Sequence, residues 1–228
     1  MLKKIFKLTK RLVLIFFVGS IFIVILYRWG PVYITPLMII RSVEHIFSGE
    51  FPRMNKIWVP IEKISPNMYR AVMASEDQSF VYHNGFDFKA MQKAYKYNKR
   101  GKKIRGGSTI SQQTAKNVFL VPWRSYVRKA FEAYFTFLIE LFWSKERIME
   151  VYLNVIETGD GIYGVEMAAR RCFNKSAKKL TAYEAATIAA SLPNPRKFKC
   201  NQKSKFITNR RNFILKYINQ MPKNLNDY

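Results

Sequence analysis

The chain has 228 residues, 49% of them hydrophobic and 15% aromatic, and a formal net charge of +24. That length suits one membrane segment plus one catalytic-sized domain and excludes a two-enzyme chain, while the charge calls for an anionic partner: nucleic acid, anionic lipid headgroups or a phosphorylated substrate. The two cysteines, Cys172 and Cys200, give neither a zinc spacing nor a disulfide framework; one bond between them suits an oxidising compartment, but free thiols are the expectation.

The N-terminus sets the compartment. Lys3, Lys4, Lys7, Lys10 and Arg11 precede an uncharged run from Leu12 to Tyr27, which Arg28 ends. At about 1.5 Å per residue the run spans roughly 24 Å, a little short of a bilayer core of about 30 Å. Snorkelling cations and interfacial Tyr27, Trp29 and Tyr33 make up the difference. A cleaved signal peptide and a buried helix are the alternatives, but no Ala-x-Ala-like site follows the run. Residues 1–11 therefore read as a cytoplasmic basic tail and 12–29 as a single-pass anchor, with the remainder outside by the positive-inside rule. A domain outside the cytoplasm does not meet DNA, so no nucleic acid is expected as a partner. An anionic membrane surface or a lipid diphosphate fits the basic charge better.

Residues 30–60 hold Pro31, Pro36, Pro52 and Pro60 and read as a membrane-proximal linker with short helices. Ser65-Pro66 is an N-cap followed by proline at the first helical position, opening a helix to about Ala74 with Glu76 at or just past its end. Phe88 to Tyr97 predicts a short helix and Lys99 to Arg105 a basic loop. Gly106 and Gly107 break the chain, Ser108 or Thr109 caps, and Thr109 to Val118 reads as helix. Trp123 to Trp143 is apolar with a period near 3.6, at Val127, Phe131, Tyr134, Phe135, Leu138 and Leu141. Ser144 caps a helix from Lys145 to Val155, and Thr181 to Glu184 is a capping box before Ala185 to Ser191. Strand patterns are nearly absent, so the fold class is mainly α.

Two carboxylates stand out. Glu76 lies in Ala74-Ser75-Glu76-Asp77-Gln78-Ser79-Phe80 and Glu132 in Arg128-Lys129-Ala130-Phe131-Glu132, with the glycine-rich block Arg105 to Asn117 between them. A carboxylate base, an anion cradle and a second carboxylate beside cations are what glycosyl transfer from a diphosphate sugar requires. A general base is worth roughly 10²–10⁴-fold to a poorly nucleophilic hydroxyl, and preorganised cations offset the charge of a departing diphosphate. Each feature has an ordinary counterpart: a solvated helix-end glutamate, a flexible turn, a basic face, or an i,i+4 salt bridge between Arg128 and Glu132. Asp77 reads equally as a supporting group or a cap, and His83 as a packed structural histidine. Ser176-x-x-Lys179 resembles a transpeptidase motif by chance, since no Lys-Thr-Gly follows.

Glu76-Asp77-x-x-Phe80-x-x-His83-x-Gly85-x-Asp87, Gly106-Gly107-Ser108-Thr109-Ile110-Ser111-Gln112-Gln113 with Lys116-Asn117, Arg128-Lys129-x-x-Glu132, Lys145 to Asn154, and Gly159-x-Gly161-Ile162-Tyr163-Gly164-Val165 together resemble the five ordered motifs of the peptidoglycan glycosyltransferase family (glycosyltransferase family 51), and specifically its monofunctional biosynthetic members. The resemblance covers roughly residues 60–200. Thr114 stands where an aliphatic residue is usual. The resemblance implies a lysozyme-like helical domain over 61–228 with a small hydrophobic subdomain that dips into the membrane. It implies polymerisation of lipid II into β-1,4 glycan with release of undecaprenyl diphosphate and inversion. Glu76 would be the base. Lys116, Arg128, Lys129 and, one turn earlier, Arg124 would hold the diphosphate, with Gly107, Ser108, Gln112, Gln113 and Asp77 around the substrate. Glu132 would orient the cations or a divalent ion, Mg2+ or Mn2+, and no ligand cluster in the sequence decides between these. The implied location is the bacterial cytoplasmic membrane, with room for association with other cell-wall synthases. A lysozyme-like lytic enzyme acting on finished glycan and a non-enzymatic binding protein are the competing classes.

Overall fold

The computed structural model describes residues 2–99, 101, 106–123, 125–200 and 204–225. Arg124 and most of the basic loop expected at 99–105 lie outside the described residues. The described chain forms ten α-helices and one small sheet.

Helix α1, Leu2–Leu26, is long and apolar enough to cross a membrane, with mean hydropathy 2.2 in its best window and only 11% of that window buried. It runs without a break through the basic tail. Residues 30–60 carry a short helix, as expected, and a two-residue strand. Thr35 caps α2, Pro36–Phe47, by accepting from the Met38 N–H, with Pro36 preset for the first turn. Val32 and Met38 are buried in the common core. Strand β1, Asn55–Lys56, then pairs in parallel with β3, Ile162–Tyr163, which pairs antiparallel with β2, Glu157–Gly159. The near-absence of strand signals is explained by length: two or three residues cannot display an alternation.

The caps fall where the sequence puts them. Ser65 opens α3, Pro66–Glu76, with Glu76 as its last residue. Helix α4 spans Phe88–Lys99, and Thr109 caps α5, Ile110–Phe119. Ser125 caps α6, Tyr126–Phe142, Ser144 caps α7, Lys145–Val155, and Thr181 closes a capping box on α9, Ala182–Ser191. Between them α8, Val165–Phe173, ends on Asn174 in the left-handed conformation. Helix α10, Lys205–Tyr217, follows Ser204.

Two three-helix layers make the core. Helix α9 packs between α3 and α10, and α5 between α6 and α7. Ala185, Ala186, Ala189 and Ala190 are fully buried on α9, and such short side chains let neighbouring axes approach closely. The apolar period of α6 serves two surfaces rather than one. Phe135 and Leu138 enter the core, whereas Val127, Phe137 and Leu141 stay exposed. Phe131 and Tyr134 meet Phe16 and Phe17 of α1. Trp123, Phe88 and Tyr126 are also exposed apolar side chains.

Cys172 and Cys200 are bonded, against the expectation of free thiols. The end of α8 and the turn ahead of α10 bring their Cα atoms to 6.0 Å, a through-space fact that a spacing of 28 residues does not reveal. Ser176 precedes a single 3-10 turn, Ala177–Lys179, whose first N–H donates to Glu166, so the Ser-x-x-Lys pattern is a structural corner.

Candidate active site

Glu76 sits where α3 ends and is half-buried. Its Oε1 accepts from Ser75 Oγ at 2.8 Å and from Arg210 Nη2 at 2.9 Å; its Oε2 accepts from Gln113 Nε2 at 3.3 Å. Tyr152 is wholly buried and donates to Gln113 Oε1 at 3.4 Å. Burial pushes the Tyr152 phenol well above its usual range, and the nearby charges of Glu76 and Asp77 push the same way. It therefore stays a neutral donor behind Gln113.

Asp77 faces the scaffold. Its Oδ2 accepts from the Ile110 N–H at 3.0 Å, and His83 Nε2 lies 3.1 and 3.0 Å from its two oxygens. Because His83 Nδ1 accepts from the Gly85 N–H, Nε2 carries the proton and donates to Asp77. The anion at the N-terminus of α5 is thus the chain's own carboxylate. The next group is also engaged: Gln112 N–H donates to Thr109 Oγ1 while Gln112 Oε1 accepts from the Thr109 N–H. The expected anion cradle at this helix start is therefore largely occupied from within, and the buried Gln112 side chain closes the cap rather than facing the cleft.

Gly106 and Gly107 do not adopt left-handed angles; Gly85 does, at φ +85°. Gly107 matters for proximity instead, since a Cβ there would lie 3.3 Å from Ala94 Cβ of α4. Ser108 beside it is exposed and open to a ligand.

Opposite Glu76, α5 and α6 present the cations. Glu132 is buried at 3% exposure, with Arg128 Nη1 on Oε2 at 2.7 Å and Lys129 Nζ on Oε1. The i,i+4 pair expected from the sequence is present. Burial lowers Lys116 below the ordinary lysine value, Glu132 opposes this, Arg128 and Lys129 reinforce it, and Glu76 opposes it weakly. These couplings place Lys116 within electrostatic reach of both carboxylates. Arg128 Nε is buried without a partner, a donor with capacity to spare for an anion. Both oxygens of Glu132 are taken by cations of the chain. That donor set, already paired with two cations, does not fit a divalent ion. The one described His/Asp/Glu cluster with metal-like spacing, His45, Glu50 and Asp160, belongs to the α2–hairpin contact, where Arg53 and Arg196 already pair its carboxylates.

The motif residues that carry no reactive group hold this arrangement. Lys145 Nζ contacts Glu140 at 2.8 and 2.9 Å, lies 4.8 Å over the Phe80 ring and donates to the His83 carbonyl. Glu140 also accepts from Ser111. Asn154 clasps Val59 through both backbone groups at 2.9 and 2.8 Å. Beyond the cations, Val118 and Phe119 of α5 and Phe135 of α6 line an apolar groove of ≈ 520 Å³, bounded on its other side by Phe16, Ser20 and Ile23 of α1.

Arg210 is the site residue that the motifs do not contain. It lies three residues after buried Ile207 and four before buried Ile214, on the inward face of α10. An arginine inside an apolar stripe was the available signal.

The site is thus that of a helical domain in which a carboxylate faces a cationic cluster, with an N-terminal helix long and apolar enough to cross a membrane packed beside it. Residues 44–219 match the family described as "Transglycosylase". A protein of Bacteroides thetaiotaomicron named biosynthetic peptidoglycan transglycosylase is 54% identical over 97% of this chain and 90% of its own length. Proteins of the same name from Bdellovibrio bacteriovorus and Caulobacter vibrioides are 57% and 55% identical over 89% and 87% of this chain, covering 81% and 84% of their own lengths. The chain belongs to the transglycosylase family, in its group of biosynthetic peptidoglycan transglycosylases, which are glycosyltransferases with a mainly α, lysozyme-like fold.

Proposed function

We propose that this enzyme polymerises lipid II into β-1,4 glycan strands, with Glu76 as general base. The 4-hydroxyl of the acceptor N-acetylglucosamine gives its proton to Glu76 as its oxygen attacks C1 of the donor N-acetylmuramic acid. The bond from C1 to the diphosphate breaks, and undecaprenyl diphosphate leaves with the electron pair. Attack opposite the leaving group inverts the centre to β. Lys116, Arg128 and Lys129 offset the charge that develops on the diphosphate, and Glu132 holds the last two in place.

The observation that carries this reading is the pairing of an accepting carboxylate with a half-buried cation cluster whose two helices continue into an apolar groove beside the anchor. A diphosphate joined to a polyprenyl chain has that sequence of chemistries. A lytic enzyme instead needs a protonated carboxylic acid as donor, whereas each described hydrogen bond of Glu76 has the carboxylate as acceptor. We further propose that α1 is a single-pass anchor in the bacterial cytoplasmic membrane with the basic N-terminus inside and the catalytic domain outside.

The test is incubation of the detergent-solubilised protein with labelled lipid II and separation of products by gel. Polymer ladders from the wild type, and a loss of about 10²–10⁴-fold in a folded E76Q variant, are expected. Retained polymerisation in E76Q overturns the base. Cleavage of purified glycan without polymerisation of lipid II replaces the reaction by the lytic one.

A further inference from the structure

We propose that Arg210 is the positioning residue of the reactive carboxylate, an inference that rests on Glu76 being the base. One nitrogen, Nη2, donates to Glu76 Oε1 at 2.9 Å, to Ser75 Oγ at 3.0 Å and to the Ser75 carbonyl at 3.3 Å. Ser75 Oγ in turn donates to the same Oε1. Two donors therefore fix one oxygen, while Oε2 holds a single long contact from Gln113. The carboxylate is clamped by Oε1, and Oε2 is left to receive the acceptor's proton. A glutamate on the last residue of a helix has rotamer freedom that would otherwise blur this geometry.

The arginine reaches Glu76 from a separate part of the chain, 134 residues away. Its helix is held against α9 and α3, by stacking of Phe198 on Phe206 at 4.1 Å, and by the Cys172–Cys200 bond just before it. Arg210 Nε is buried without a partner. An orphaned buried donor is unfavourable and calls for an explanation; the contact made by Nη2 supplies one.

The experiment compares full-length wild type, E76Q, R210A, R210Q and R210K on lipid II, separating kcat from KM and following the melting temperature. R210A is expected to lose about 10–100-fold in kcat through misplacement of the base, with KM within about threefold and partial recovery on adding guanidinium ion. R210K, which keeps a cation but not the fork, should retain more kcat than R210Q. A kcat for R210A within about twofold of wild type, with E76Q inactive, removes Arg210 from the mechanism and leaves the base intact. A loss confined to KM assigns Arg210 to substrate binding instead, and a loss that tracks a lowered melting temperature without response to guanidinium assigns it to the fold; both overturn the proposal. An active E76Q refutes the base itself. If R210A does not fold, R210Q decides: wild-type kcat in that folded variant also overturns the positioning role.

Discussion

Asp77 offers a test of how the end of α3, which carries Glu76, is held against the start of α5. Replacing it with alanine removes the acceptor for two buried donors, the Ile110 N–H and the His83 Nε2–H. Each orphaned donor costs about 1–3 kcal/mol, so D77A should lose about 2–6 kcal/mol. That is a large fraction of a typical total of about 5–15 kcal/mol. At roughly 2–4 °C per kcal/mol for a chain of this size, the melting temperature should fall by at least about 4 °C. D77N is not a rescue. Its single oxygen can satisfy Ile110, but its amide then meets the His83 Nε2–H as donor against donor. The histidine cannot switch tautomer without setting Nδ1–H against the Gly85 N–H. D77N should therefore lose about 1–3 kcal/mol. Thermal unfolding followed by circular dichroism in detergent measures both, and lipid II polymerisation measured alongside should fall with them because α5 loses its registration to α3. If D77A melts within about 2 °C of wild type, the account of this network is wrong.

Two further expectations follow from burial and from the covalent link. Burial lowers Lys116 below the free-lysine value of 10.5, so its charge is lost as pH rises through a lower value than in the unfolded chain. KM for lipid II should rise on that alkaline side, K116R should carry the plateau to higher pH, and a KM flat to pH 10.5 in the wild type contradicts the diphosphate role. The same sign means that folding disfavours the ammonium at neutral pH, so K116M should melt higher than wild type while binding substrate poorly. Reduction of Cys172–Cys200, or C172S, should cost about 3–4 kcal/mol by the chain-entropy estimate for a separation of 28 residues, and equal melting with and without reductant would show the bond to be inert.

Local signals were legible because they are local. Ser65, Thr109, Ser144 and Thr181 each cap a helix through a side chain a few residues from the group it satisfies. Lys116 is coupled to Glu76, Arg128, Lys129 and Glu132, and the last three are ion-paired one turn apart on α6. What stayed hidden depends on partners distant in the chain. Four prolines suggested a linker with short helices over residues 30–60; α2 is such a helix, but that Val32 and Met38 are buried and that α2 lies against α5 depend on distant partners. The Gly106-Gly107 pair suggested unusual backbone angles, but the constraint at Gly107 is the nearness of α4. Arg210 and the disulfide are pairings made through space, with no motif to announce them.

The docking of α1 bears on how the enzyme finds its substrate. Ser20 Oγ meets Tyr134 OH at 2.7 Å, Trp143 Nε1 donates to the Val24 carbonyl at 2.8 Å, and Arg147 grasps the carbonyls of Tyr27 and Gly30. A loosely tethered domain would tumble above the bilayer and sample every orientation. Here these contacts join the helix to the cleft, so with α1 spanning the membrane as proposed, the height and heading of the cleft relative to the membrane plane are set by the fold. For the lipid-linked substrate proposed above, the search would be confined to lateral diffusion in two dimensions, and each encounter would begin already aligned.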